Sequence, residues 1–313
     1  MFTNSTHYKF NEGIATNNNV DIYYRDYGPE DAEPVLLIQG LGGQLVNWPQ
    51  HLLDCLLDNN FRPIVFDNRD AGLSSKIKSD IFDDNNRKKT IVKTYFKYYT
   101  GIKLNPLYTI DDMSKDAISV LDSLNVNEAH IVGISMGGMI SQLLASNYSE
   151  RVKSLTLIAS TASTPSPLNG PERKVRKLLM RRSNNPNASI DERMKRTKKI
   201  FSIIGYQGFD LDSDEFNGGL KESIKRGGND DSGFSRQILA ILGSKDRIKK
   251  VKTIKAKTLI IHGKDDPLIP VKNAYKAERL IKNSKLVIVD QMRHLIEPPV
   301  FDQFKKDFIE HLS

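Results

Sequence analysis

Gly133-Ile134-Ser135-Met136-Gly137 sets a serine between two glycines in the spacing G-x-S-x-G. The motif follows Ala129-His130-Ile131-Val132, a short β-branched run, and precedes a segment from Met136 to about Tyr148 whose apolar residues keep helical spacing. Where a strand bends sharply into a helix, side chains at the flanking positions would clash, which is a steric reason for glycine. Such a turn puts the serine on an exposed crest, and the helix N-terminus beside it favours negative charge. A hydroxyl there is placed to attack an electrophilic carbon while backbone N–H groups hold the oxyanion that forms. Plain glycine-rich turns share the spacing, so the serine needs partners.

A serine hydroxyl is a weak nucleophile without a base, and the base needs a carboxylate to orient it. The run Ile260-Ile261-His262-Gly263-Lys264-Asp265-Asp266-Pro267 supplies two acids directly after an apolar stretch. His294, in Gln291-Met292-Arg293-His294, lies just past the last β-branched run. Among the other histidines, His7 and His311 are near the termini, His51 falls on a helix, and His130 begins the strand leading to Ser135. His262 competes with His294 as the base. Its expected role is packing or hydrogen bonding behind the site, because the turn after it is needed for the acid. Serine, then acid, then histidine is the chain order of one known triad arrangement.

These residues need elements to bring them together. Short buried-strand runs alternate with helix-period segments, the pattern of a parallel sheet with crossover helices. Residues 21–27 alternate and follow Asn17-Asn18-Asn19, predicting an antiparallel hairpin with residues 8–14. Further strands are expected at 35–38, 63–66, 129–133, 152–159, 257–262 and 285–289, with helices at 48–58 and from Thr109. One closing helix is expected to stripe Phe301, Phe304, Phe308 and Leu312. Between the strands near 159 and 258 the chain carries helix signals only, including the capping box Ser189-Ile190-Asp191-Glu192 and a terminating Gly205. The stripe Ile190, Met194, Phe201, Ile204 belongs to that helix, and its aliphatic character favours an apolar or aromatic group over a charged one. A helical insertion there reads as a lid over the C-terminal edge of the sheet, where such sheets bind ligands. Residues 75–108, rich in Tyr and Lys, are a candidate pocket wall.

With 313 residues, 39% hydrophobic and 27% charged, the chain can bury a large core without staples. One cysteine, Cys55, excludes an internal disulfide and any cysteine-based zinc site; it sits in an apolar helical run as a small hydrophobe. No apolar run is long enough to span a bilayer, and Met1–His7 lacks the features of a secretory signal, so a cytoplasmic location is expected. Net charge is +8, yet residues 171–200 hold eleven Lys and Arg against three acids and so carry an excess as large as the whole. That segment reads as a solvated helical face without interleaved aromatics, and no nucleic-acid partner is expected. Gly40-Leu41-Gly42-Gly43 lacks the G-x-G-x-x-G spacing, and no metal cluster appears, so neither cofactor nor metal is expected.

Several longer motifs go further. They are Ile38-Gln39-Gly40-Leu41-Gly42-Gly43 with Trp48-Pro49, Phe66-Asp67-Asn68-Arg69-Asp70-Ala71-Gly72-Leu73-Ser74, Tyr108-Thr109-Ile110-Asp111-Asp112-Met113, the serine turn, and Ser235-Arg236-Gln237-Ile238-Leu239-Ala240-Ile241-Leu242. On these the chain resembles the α/β hydrolases, and is similar to the aclacinomycin methylesterase-like group of lid-bearing esterases, from about residue 20 to 300. The resemblance implies an α/β fold: a mostly parallel central sheet of about eight strands flanked by helices, with a helical lid after strand 6. The hydrolase core would then comprise residues 1–160 and 253–313, and the lid 161–252.

It also implies roles. Ser135 is the nucleophile and His294 the base. The pattern G-x-x-D-x-x-x-P, matched by Gly263, Asp266 and Pro270, selects Asp266 over Asp265 as the acid. Backbone N–H groups of Leu41 and Met136 form the oxyanion hole, ahead of Gly42, and Gly40, Gly42 and Trp48 border the substrate pocket. Two departures stand out: Gln39 replaces a usual histidine, and Arg293 replaces a usual glycine beside the base. The implied reaction is hydrolysis of a small-molecule carboxylic ester by a monomer or homodimer, with activity falling as the base protonates. Rival readings keep the triad and cleave a C–C bond or a lactone, act as a perhydrolase, or bind a ligand with slow turnover.

Overall fold

The computed structural model describes residues 8–78, 94, 96–98, 100–102, 104–163, 169–180, 188–227, 232–244 and 247–313. Met1–His7 and most of 75–108 therefore lie outside the described residues. The strands are β1 (Asn11–Asn17), β2 (Val20–Asp26), β3 (Glu33–Ile38), β4 (Phe61–Phe66), β5 (Ala129–Ile134), β6 (Val152–Ile158), β7 (Lys257–Gly263) and β8 (Ser284–Val289). They form one sheet in the order β1-β2-β4-β3-β5-β6-β7-β8. β2 pairs antiparallel with β1 and β4, and all remaining pairings are parallel. The helices are α1 (Gln50–Asp58), α2 (Ile110–Ser123), α3 (Met136–Asn147), α4 (Arg173–Met180), α5 (Ile190–Ile204), α6 (Asp214–Gly227), α7 (Ser232–Gly243), α8 (Arg247–Val251), α9 (Lys272–Leu280), α10 (Pro298–Phe301) and α11 (Lys305–Leu312).

The central strands are buried on both faces, which is why they read as unbroken apolar runs. Their side chains alternate between two cores. Leu36, Ile38, Ile131 and Ile260 join Met113, Ile140 and Ala274 on one face, against α2, α3 and α9. Val35, Leu37, Val132 and Ile261 join Leu52, Leu56 and Phe308 on the other, against α1 and α11. Cys55 is buried among the second set, and burial raises its thiol pKa.

Three expectations change in detail. The partner of β2 is 11–17, not 8–14, because the turn is only Asn18-Asn19, at φ 48° and 64°, so Asn17 faces Val20. A two-residue turn with both central residues left-handed matches strand twist and suits asparagine. The closing helix is two, α10 and α11, broken at 302–304; Phe301, Phe304, Phe308 and Leu312 are buried all the same. Gly205 does end α5, but at φ −92°, so left-handed backbone is not its reason. A β-carbon there would stand 2.6 Å from Glu297 Oε1.

Among the described residues, five helices, α4 to α8, lie between β6 and β7 and contribute their own small cluster around Phe216 and Leu220. Among the described residues no helix is long and apolar enough to cross a membrane.

Candidate active site

Ser135 sits between β5 and α3 with φ 56° and ψ −117°, a backbone region that residues with a β-carbon rarely occupy. The strain is held from both sides. The Ser135 N–H donates to the Ile158 carbonyl at 2.9 Å, and Ser160 Oγ donates to the Ser135 carbonyl at 2.8 Å. Gly137 is required because a β-carbon there would run into the Ile38 carbonyl oxygen where α3 crosses the end of β3.

The three sequence candidates converge. His294 Nε2 lies 3.0 Å from Ser135 Oγ, and His294 Nδ1 lies 2.7 Å from Asp266 Oδ2. Asp266 is buried, and its Oδ1 accepts the N–H groups of Leu268 and Ile269 at 2.8 and 2.9 Å. Those two bonds fix the carboxylate and leave Oδ2 for the imidazole. Asp265 is exposed and takes no part. His262 is fully buried, with Nε2 2.7 Å from the Ile269 carbonyl and 3.6 Å from Asp266 Oδ2. Burial lowers its pKa, so it stays neutral behind the acid and does not reach the serine.

The loop after β3 faces the serine from the other side. The Gly40 N–H donates to Gln39 Oε1 at 3.1 Å, Gly42 to Gln237 Oε1 at 2.8 Å, and Gly43 to the Gly40 carbonyl at 3.1 Å. The Leu41 N–H has no acceptor among the described residues. Neither has that of Met136, the first residue of α3. Both residues border the same cavity as Ser135 and His294. Gln39, which stands in place of the family's usual histidine, therefore serves to pin the loop.

That cavity has a volume of about 450 Å³. Gly40, Gly42 and Trp48 all border it, Trp48 while otherwise fully buried. Ile200, Phe201 and Ile204 of α5 contribute apolar wall; of the expected stripe Phe201 and Ile204 reach the cavity, while Met194 packs against the Phe216 cluster. The basic segment departs from expectation. Lys195 and Lys199 are exposed, but Arg193 is buried, and Arg176, Arg193 and Arg196 all line the cavity. Helical periodicity turns part of the basic face inward, so it is not wholly solvated. Tyr98 is the described member of 75–108 that reaches the wall.

The histidine loop is tied to the inserted helices. The His294 N–H donates to the Ile204 carbonyl at 2.8 Å and Arg293 Nη1 donates to the Ile203 carbonyl at 2.6 Å. Glu297 Oε1 accepts the Tyr206 N–H at 2.8 Å. Arg293 thus satisfies one orphan carbonyl at the end of α5, and the His294 N–H satisfies the next. Sequence reading missed these ties, and missed Arg236, Gln237 and Asp70 as neighbours of the site. Two adjacent polar residues ahead of the apolar run Ile238–Leu242 were the available signal.

The match of residues 33–296 to the α/β hydrolase fold model places this chain in that family. Its relatives divide by chemistry. It is 24% identical to rhodomycin D methylesterase DnrP of Streptomyces peucetius, over 95% of this chain and 97% of that protein. It is also 24% identical to 2-hydroxy-6-oxononadienedioate/2-hydroxy-6-oxononatrienedioate hydrolase 1 of Pseudomonas putida, over 93% of each. Among solved structures, a meta-cleavage product hydrolase from Pseudomonas fluorescens IP01 superposes with a TM-score of 0.69 at 22% identity, covering 96% of each chain. At that identity the likeness speaks for the fold.

Proposed function

We propose that this chain is a serine hydrolase of carboxylic esters. The observation that carries the reading is the continuous contact Ser135 Oγ, His294 Nε2, His294 Nδ1, Asp266 Oδ2 at 3.0 and 2.7 Å inside one cavity. Ser135 Oγ attacks the acyl carbon as its proton passes to His294 Nε2. Asp266, held by two backbone N–H groups, keeps the imidazole oriented and stabilises the imidazolium. The Leu41 and Met136 N–H groups donate to the oxyanion and are already in place before it forms. Collapse of the tetrahedral species breaks the ester C–O bond, and the His294 proton leaves with the alcohol. Water then attacks the acyl-enzyme through the same base, releasing the acid and restoring Ser135. Residues 161–252 act as the lid over this chamber and 1–160 with 253–313 as the core. A methylesterase among the relatives agrees with ester cleavage.

A second reading is favoured by Arg176, Arg193 and Arg196 in the cavity wall. The same triad would cleave a C–C bond or a lactone in a carboxylate-bearing substrate, and a relative named for dioate substrates agrees with it. The test is hydrolysis of p-nitrophenyl esters from acetate to laurate by wild type and Ser135→Ala, beside a monoester of a dicarboxylic acid and a vinylogous 1,5-diketone acid. Ester turnover lost in Ser135→Ala supports the first reading. Turnover of the diketone acid alone replaces it with the second.

A further inference from the structure

In helix α7, Arg236 and Gln237 stand directly ahead of an apolar run, and both are buried. Gln237 has no exposed surface at all, so its amide must be fully paired. Its Oε1 accepts the Gly42 N–H at 2.8 Å, and its Nε2 donates to the Arg69 carbonyl at 2.8 Å. The opposite amide orientation would set NH2 against N–H and oxygen against carbonyl, so these two partners fix it. Beside it, Arg236 pairs with Asp70 on the same loop after β4. One turn of helix thus reaches the loops after β3 and β4 together.

The loop it holds is Gly40-Leu41-Gly42-Gly43, with Gly42 at φ 70°. Three glycines in four residues have little conformational preference of their own, so this segment needs outside restraint to present one N–H in one direction. Gln39 restrains Gly40, and the Gly40 carbonyl restrains Gly43. Among the described residues, Gln237 supplies the hydrogen bond that restrains the Gly42 N–H. We propose that Gln237 is a positioning residue for the oxyanion hole: it occupies the Gly42 N–H and so leaves the Leu41 N–H as the donor aimed at Ser135. The inference rests on the esterase reading above. It makes the inserted segment part of the catalytic geometry as well as a cover. A well-placed donor matters in the transition state far more than in the bound substrate, so the effect falls on kcat.

The test compares wild type, Ser135→Ala, Gln237→Met and Gln237→Glu on the preferred p-nitrophenyl ester, with rates expressed per active site titrated by a fluorophosphonate. Methionine keeps the volume and cannot hold Gly42; glutamate keeps an acceptor for it. Gln237→Met is expected to lower kcat about 10- to 100-fold with KM within about 3-fold. Its affinity for phenylboronic acid, whose tetrahedral adduct needs the hole, falls in parallel. Gln237→Glu, which still accepts from Gly42 but sets its second oxygen against the Arg69 carbonyl, is expected to recover part of kcat. A purely structural role would lower the thermal midpoint and the titre while leaving kcat per titrated site and boronate affinity unchanged, and that result overturns the inference alone. Should Gln237→Met fail to fold, Gln237→Ser carries the same comparison. If wild type turns over no ester and matches Ser135→Ala throughout, the esterase reading falls, and the inference falls with it.

Discussion

Arg236 grips Asp70 with two hydrogen bonds, Nη2 to Oδ1 at 2.7 Å and Nε to Oδ2 at 2.9 Å, joining α7 to the loop after β4. Both side chains are almost completely buried, and Asp70 also accepts the Tyr108 hydroxyl at 2.6 Å. Removing one partner strands the other charge in a medium that solvates it poorly, at about 3–5 kcal/mol. Arg236→Met is therefore expected to lower stability by about 3 kcal/mol in urea unfolding, and adding Asp70→Leu to restore part of it. An unchanged midpoint in the single variant would show that the pair contributes nothing.

Asp266→Asn keeps the shape of the acid but removes its charge and favours the wrong imidazole tautomer. The expected loss in kcat is about 10³- to 10⁴-fold, with fluorophosphonate labelling of Ser135 slowed alongside. Steady-state kinetics on folded variant decides it. A loss under tenfold would mean that His294 is oriented by something other than Asp266.

Arg176 faces the cavity, and its side chain has no carboxylate partner among the described residues. Given two esters of equal size, one neutral and one carrying a free carboxylate, wild type is expected to favour the charged one. Arg176→Met should erase about tenfold of that preference in kcat/KM and leave the neutral ester nearly unchanged. Equal losses on both esters would assign Arg176 to packing.

Burial lowers His51 and His311 to a pKa of about 4, from an ordinary 6.5. Burial depresses His130 and His262 in the same direction. Folded, these rings bind protons less readily than in the unfolded chain, so between about pH 6.5 and 4 the unfolded state holds more protons. Their stabilising contribution is complete above that window and is lost as pH falls through it. Asp67 and Glu297, raised by burial, pull the opposite way. The thermal midpoint is expected to drop by roughly 5 °C from pH 7.5 to 5, with His51→Gln combined with His311→Gln flattening the slope. A midpoint that rises on acidification would contradict this balance.

Much of this molecule was legible in advance because its signals are local. Buried parallel strands must be apolar on both faces, so β3 to β7 announced themselves as continuous runs. The turn at Ser135 needs glycine where a β-carbon would meet the Ile38 carbonyl, and that steric demand is written in five consecutive residues. What failed was where a boundary depended on a partner. The register of β1 followed from the two-residue turn at Asn18-Asn19, and the break between α10 and α11 is invisible to a periodicity that both halves share.

By itself the sequence determined the elements, their order, and a short roster of reactive side chains. Only tertiary structure decided which of them meet. His262 and His294 both lie near Asp266, but only His294 reaches Ser135, 159 positions away in the chain. Gln237 reaches Gly42 across 195 positions, a pairing no spacing rule contains. The direction in which Arg176, Arg193 and Arg196 face depends on how the inserted helices dock, which turned part of a basic helix surface into a cavity wall. Local sterics and hydrophobicity act between near neighbours, so they can be read along the chain. Contacts between distant loops exist only once the sheet has brought the ends of β3, β5, β7 and β8 to one edge.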